Sequence, residues 1–222
     1  MISVVLLIFT TLILGLVALY LKTEYDAKQL AKYSSEEAKK GAEFELEVVE
    51  EIKKLYPTAK VLHNLILPKK KGGTTEVDIL VLTNKGFFVL ECKNYNGFVV
   101  GKPNSKKWTI FYHKKYKKTF YSPIVQNKNH VFALRDMFPK YYFTNMVIFS
   151  DNSKLVKEIF KAKEVKTFKG FIWFLKNSLE KKKVIYTEAE VEAVYNFLAP
   201  FVNGDRNAHI QYVKKVQQKE SV

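Results

Sequence analysis

Thr74-Thr75-Glu76-Val77-Asp78-Ile79-Leu80-Val81-Leu82 and Phe87-Phe88-Val89-Leu90-Glu91-Cys92-Lys93 are two β-rich runs, joined by Thr83-Asn84-Lys85-Gly86. The joining stretch has the composition of a hairpin turn. Each run carries a carboxylate where a buried strand would carry another apolar residue. Positions i and i+2 of a strand share a face, so Glu91 and Lys93 point one way and Leu90 and Cys92 the other. A two-residue Asn84-Lys85 loop pairs Thr83 with Gly86 and sets Asp78 opposite Glu91. Two carboxylates and one ammonium then converge, the minimum set for holding a divalent metal and activating a water. A three-residue loop with Gly86 left-handed in a bulge instead slips the pairing by one and moves Asp78 off the Glu91 face. A buried ion pair, or a strand end emerging into solvent, would use the same three residues.

Outward from this hairpin the elements alternate. Ser34-x-x-Glu37 is a capping box that opens a helix running to about Tyr56, before Pro57. Its apolar stripe is Ala38, Ala42, Val48, Val49, Ile52 and Leu55, and Glu45 falls inside it. A carboxylate there costs free energy unless a cation meets it or it reaches water from an edge of the stripe. Val61–Leu67 reads as a strand, and Lys69–Gly73 as a basic loop. Asn94–Lys107 is polar and turn-rich. Trp108–Tyr112 and Lys117–Tyr121 read as a strand pair. Pro123 opens a helix over Ile124–Met137. Asn145–Ser150 reads as a strand, and Asp151 or Ser153 caps a helix over Lys154–Phe160. Phe171–Leu179 reads as helical, and Thr187-x-x-Glu190 caps a helix through Leu198. This alternation predicts one α/β domain with a mixed sheet.

Residues 2–21 contain no charge and are long enough to span roughly 30 Å of hydrocarbon. No basic n-region precedes the run, which favours a membrane anchor (residues 1–22) over a cleaved signal peptide. Lys22, Lys28, Lys32, Lys39 and Lys40 follow it, so the positive-inside rule places the remainder in the cytoplasm of a single-pass protein. Residues 23–34 read as a linker or stalk, and residues 203–222 as a polar tail. The lone Cys92 permits no internal disulfide, which agrees with a reducing compartment.

The 222 residues carry a net charge of +15, from 37 basic and 22 acidic side chains. The excess is clustered at Lys69-Lys70-Lys71, at Lys106-Lys107 beside Lys102, at Lys114-Lys115 with Lys117-Lys118, and at Lys181-Lys182-Lys183. Such clusters suit a polyanion, and the interleaved Trp108, Phe111, Tyr112, Tyr116, Phe120 and Tyr121 favour nucleic acid. Solvated loops, or attraction of an anchored domain to anionic lipid, would produce the same clusters. His63, His113, His130 and His209 lack zinc-ligand spacing. No phosphate-cradling glycine motif is present, so nothing points to ATP or NAD.

Gly41-Ala42-Glu43-Phe44-Glu45, Thr75-Glu76-Val77-Asp78, the block Gly86 to Gly97, Trp108, and Ser122-Pro123-Ile124-Val125-Gln126-Asn127 together resemble the nuclease-related domain family, NERD. Phe44 stands where that family's helix motif has a second glycine, and Ser122 where it has Asn. The family is similar to the restriction-endonuclease-like nucleases of the PD-(D/E)XK type. The resemblance implies a mixed β-sheet core flanked by helices over residues 35–145, with residues 146–202 as a C-terminal α/β extension. It also implies metal-dependent hydrolysis of phosphodiester bonds. Asp78 and Glu91 would bind Mg²⁺, or Mn²⁺, with Glu45 completing or supporting the site. Lys93 would orient the attacking water and help deprotonate it, and Gln126 would position the site from the later helix. Lys69, Lys70, Lys71, Lys106, Lys107, Lys114 and Lys115 are the candidate nucleic-acid contacts. Two functions follow: a membrane-anchored endo- or exonuclease acting on DNA rather than RNA, or a module that tethers nucleic acid at the membrane without cutting it.

Overall fold

The computed structural model describes residue 20 and residues 36–69, 72–113 and 116–202. The expected anchor lies outside them except for Tyr20, as do the linker 23–34 and the tail 203–222. No described helix is long and apolar enough to cross a membrane. The chain divides into two units, Met1–Ala42 and Glu43–Val222. In the first, residues 36–42 are helical; in the second, helix α1 occupies residues 43–55.

Among the described residues of the second unit nine strands follow: β1 (Lys60–Pro68), β2 (Thr74–Thr83), β3 (Gly86–Lys93), β4 (Phe98–Val100), β5 (Lys107–His113), β6 (Tyr116–Tyr121), β7 (Phe143–Phe149), β8 (Lys154–Leu155) and β9 (Val165–Thr167). The helices are α2 (Pro123–Met137), α3 (Lys157–Phe160), α4 (Phe168–Trp173), which runs into a π-helical turn at Phe174–Leu179, and α5 (Glu188–Leu198). Two mixed sheets form, not one. The larger has the order β1-β2-β3-β7-β9, the smaller β6-β5-β4-β8. In the larger sheet the first three strands are antiparallel, while β7 and β9 add in parallel.

Three apolar layers hold the sheets and helices together. Ile79, Val81, Phe88, Leu90 and Cys92 face α1 residues Phe44, Val48 and Ile52 and the later Phe171, Leu175 and Leu179. Leu80, Leu82, Phe87 and Val89, on the opposite face, meet Val131 and Leu134 of α2 and Val191, Val194 and Leu198 of α5. Val99, Trp108 and Ile110 of the smaller sheet pack with Val147, Phe149, Ile159 and Val165. Residues beyond 146 thus share cores with the hairpin strands. Each layer removes large aliphatic and aromatic side chains from water, at about 1.5–3 kcal/mol per side chain.

The smaller sheet fits only because glycines precede it and line it. A Cβ on Gly97 would stand 2.7 Å from the Phe111 carbonyl oxygen, and one on Gly101 would stand 2.4 Å from Cδ1 of Trp108. Trp108 is buried, stacks on Phe149 and donates its Nε1–H to the Lys102 carbonyl at 2.9 Å.

The segment after β7 departs from expectation. Lys154–Leu155 is not helical: it pairs in parallel with Phe98–Val99, and the helix begins only at Lys157. Asp151 caps nothing there, accepting instead from the Lys169 amide, while Ser153 donates to the Tyr95 carbonyl. The open edge of β4 captures the residues that would have been the first turn. The capping box at Thr187 and Glu190 forms as expected. Ser34, the expected cap of the first helix, lies outside the described residues.

Candidate active site

The β2–β3 turn is the two-residue loop. Thr83 pairs with Gly86, its Oγ1 donates to the Gly86 carbonyl at 2.9 Å, and Lys85 N–H donates to that same hydroxyl at 3.1 Å. This register carries Asp78 toward Glu91. The ladder ends at Ile79↔Leu90, one step short of them. On the other side, the β1–β2 ladder runs from Lys60↔Leu82 to Pro68↔Thr74 and lacks only the rung of Asn64 opposite Asp78. Asn64 has φ +54°, the left-handed conformation that Asn tolerates best among side-chain-bearing residues. Val77 and Leu80 lie in one core layer, as do Leu62 and Leu65, although alternation would separate residues three apart. Both strands therefore change face at this point. Asp78 is freed from both ladders, and its Oδ2 accepts from the Cys92 amide at 2.8 Å.

Glu91 is fully buried, and its Oε1 accepts a hydrogen bond from Lys93. Burial first, then the charge of Glu91, pushes the Asp78 carboxyl from its ordinary 3.8 up to about 8; Lys93 and the Cys92 amide pull it partway back. For Lys93 burial acts downward, yet Glu91 and Asp78 outweigh it and hold the ammonium above its ordinary range. Glu91 and Asp78 thus favour the charged form of Lys93, which donates to Glu91 Oε1. Burial pushes the Cys92 thiol up, as suits a core residue rather than a nucleophile.

Two histidines complete the arrangement, neither of them marked in the sequence by zinc-ligand spacing. His130 on α2 is buried, its Nδ1 is 2.8 Å from Thr75 Oγ1, and its Nε2 stands 3.3 Å from Glu91 Oε2. Neither that nitrogen nor that oxygen has a hydrogen-bond partner. His130 lies one helical turn beyond Gln126, a spacing that puts the two on one face of α2. His63, beside Asn64 on β1, pairs through Nε2 with Glu45 Oε2 at 3.0 Å. This resolves the carboxylate in the apolar stripe of α1: Glu45 is half-buried against a histidine, and its charge still acts on Asp78.

Gln126 is half-buried, and among the described residues its side chain makes no hydrogen bond. Its neighbour Asn127 tethers the helix. Asn127 Nδ2 donates to the Val89 carbonyl and to Asn145 Oδ1, both at 2.7 Å, and to the Met146 carbonyl at 3.1 Å. Of the candidate nucleic-acid contacts, Lys69, Lys106 and Lys107 are exposed, while Lys70, Lys71, Lys114 and Lys115 lie outside the described residues.

Among the described residues no three His, Cys, Asp or Glu side chains stand together as a ready metal cage. The chemistry of Asp78 and Glu91 nonetheless fits magnesium. Both are hard oxygen donors, Glu91 Oε2 is buried without a hydrogen bond, and magnesium is commonly held by one or two carboxylates with waters and substrate phosphate filling its shell.

Residues 40–150 match the nuclease-related domain family, NERD, a match over half of the chain, and the protein belongs to that family. It is also similar to an uncharacterized protein of Bacillus anthracis, 28% identical over 165 residues that make up 72% of this chain and 74% of that one. No solved structure matches it.

Proposed function

We propose that this is a membrane-anchored, metal-dependent nuclease that hydrolyses phosphodiester bonds of nucleic acid, DNA in preference to RNA, on a restriction-endonuclease-like core. The observation that carries this reading is the meeting of Asp78, Glu91 and Lys93 where β2 leaves both of its ladders. Membership of the nuclease-related family supports it.

In this reading Asp78 and Glu91 would hold Mg²⁺ or Mn²⁺, which would supply Lewis-acid polarisation of the phosphate and lower the pKa of water. Lys93 donates to the attacking water, orienting it, and offsets charge that develops on the phosphate. His130, anchored by Thr75, borders the Glu91 carboxylate. Glu45, paired with His63, adds negative potential beside Asp78, and Gln126 offers an amide from α2. The basic surface draws the polyanion in. The uncharged run 2–21, followed by lysines, is the proposed single-pass anchor, leaving the nuclease on the cytoplasmic side.

The tethering alternative draws on one observation: Glu45 is engaged by His63, and no third metal-ligating side chain joins Asp78 and Glu91 among the described residues. Incubating the purified full chain with plasmid, linear duplex, single-stranded DNA and RNA in Mg²⁺, Mn²⁺ or EDTA separates the two. Products formed only with metal support the nuclease; metal-independent binding with intact substrate supports the tether.

A further inference from the structure

The smaller sheet turns one face to the core and the other to solvent, and register sorts its aromatic residues between them. Val99, Trp108 and Ile110 are buried on the inner face, and Tyr112, Phe120 and Leu155 pack against them. Phe98, Phe111 and Tyr121 point outward and are 46%, 38% and 44% exposed. Lys154 of β8, Phe98 of β4, Phe111 of β5 and Lys117 of β6 form one row across all four strands. Tyr121 is paired with Lys107 further along the same face. Lys107, Lys117 and Lys154 are exposed; among the described residues none of them makes an ion pair, and no ring covers any of the three outward aromatics. The four strands contain no carboxylate. From Cys92 to Arg135 the chain has nine lysines, one arginine and no Asp or Glu, so nothing within that stretch neutralises the face.

We propose that this face is a platform for an unpaired nucleic-acid strand, its bases stacking on Phe98, Phe111 and Tyr121 and its phosphates met by Lys107, Lys117 and Lys154. Open ring faces accept any base, because every base has a π-face. A duplex keeps its base faces stacked within the helix, so the platform selects single strands. Lys154 and Lys117 end the row on either side of Phe98 and Phe111, and Lys107 stands beside Tyr121, so cations border the rings. The platform is also near the chemistry: Lys93 and Phe98 are five residues apart, at most about 18 Å of extended chain. The inference rests on the nuclease reading for its purpose, and assigns that nuclease a single-stranded substrate or a single-stranded stretch beside its cut.

The test uses the full-length chain in neutral-lipid nanodiscs and fluorescence anisotropy of labelled fifteen-nucleotide oligo-dT, oligo-U and a duplex. Wild type is expected to bind the single strands more tightly than the duplex. Phe98→Ala/Phe111→Ala/Tyr121→Ala is expected to weaken single-strand binding by at least about fivefold per ring removed. Phe98→Tyr/Phe111→Tyr keeps the rings and is expected to restore it, excluding a folding defect. Lys107→Gln/Lys117→Gln/Lys154→Gln is expected to flatten the salt dependence of binding. Wild-type binding of oligo-dT without cleavage of any substrate would uphold the platform and defeat the nuclease reading. Cleavage with binding unchanged in the triple alanine variant would overturn the platform and leave the nuclease standing. Loss of binding to phosphatidylserine bilayers in that variant, with oligo-dT binding intact, would overturn it in favour of a lipid surface.

Discussion

His130 Nε2 faces Glu91 Oε2 at 3.3 Å, and neither atom has a hydrogen-bond partner. On its other side the ring is anchored by Thr75, whose Oγ1 stands 2.8 Å from Nδ1. The histidine thus stands against Oε2 of Glu91 while Lys93 donates to Oε1. His130→Ala should lower magnesium affinity and cleavage by about 10–100-fold, the usual effect of removing a residue that orients a metal ligand. Calorimetric titration of Mg²⁺ into wild type and variant checks this. Unchanged affinity would remove His130 from the site.

The Asp78 carboxyl keeps its proton up to about 8 in the folded protein, whereas an unfolded chain loses it near 3.8. Between those values the folded state binds more protons, so this group's effect on stability becomes more unfavourable as pH rises. Asp78→Asn should therefore raise the urea midpoint relative to wild type near pH 8 and leave it little changed near pH 4. Metal must displace the same proton, so wild-type magnesium affinity should rise by up to about tenfold per pH unit until pH 8 and then level off. Equal urea midpoints at both pH values, with a flat affinity profile, would contradict the assignment.

Gly101 carries no side chain because Trp108 occupies the space. Its missing Cβ would sit 2.4 Å from Cδ1 of a ring that is fixed by Phe149 and by the Lys102 carbonyl. Gly101→Ala should cost about 1–3 kcal/mol, as overpacking of a close-fitted site does. Urea unfolding followed by tryptophan emission reads it, and an unchanged midpoint would show that the ring yields freely.

The hairpin was legible because its signal is local. Thr83-Asn84-Lys85-Gly86 allows a two-residue turn, and strand periodicity then brings Asp78, Glu91 and Lys93 together. The face change at Asn64 and Asp78 was less visible. Asn is the residue that signals left-handed backbone, but only its position opposite Asp78 gives it meaning. His130 could have been found from its four-residue spacing after Gln126, which places it on the same helix face. Lys154–Leu155 could not. Two residues show no periodicity, and their strand exists only because β4 offers an open edge. The second sheet was hidden for the same reason, since β4 is only the three residues Phe98, Val99 and Val100 inside a glycine-rich, polar stretch.

The most direct test of the active site is the rate of metal-dependent DNA cleavage by the full-length wild type and by Asp78→Ala/Glu91→Ala, purified in parallel and compared for fold by circular dichroism. The expected result is cleavage by wild type in Mg²⁺ or Mn²⁺, abolished by EDTA and lost in the folded double variant. Equal cleavage by the double variant, or none by folded wild type across DNA and RNA substrates in either metal, would contradict it.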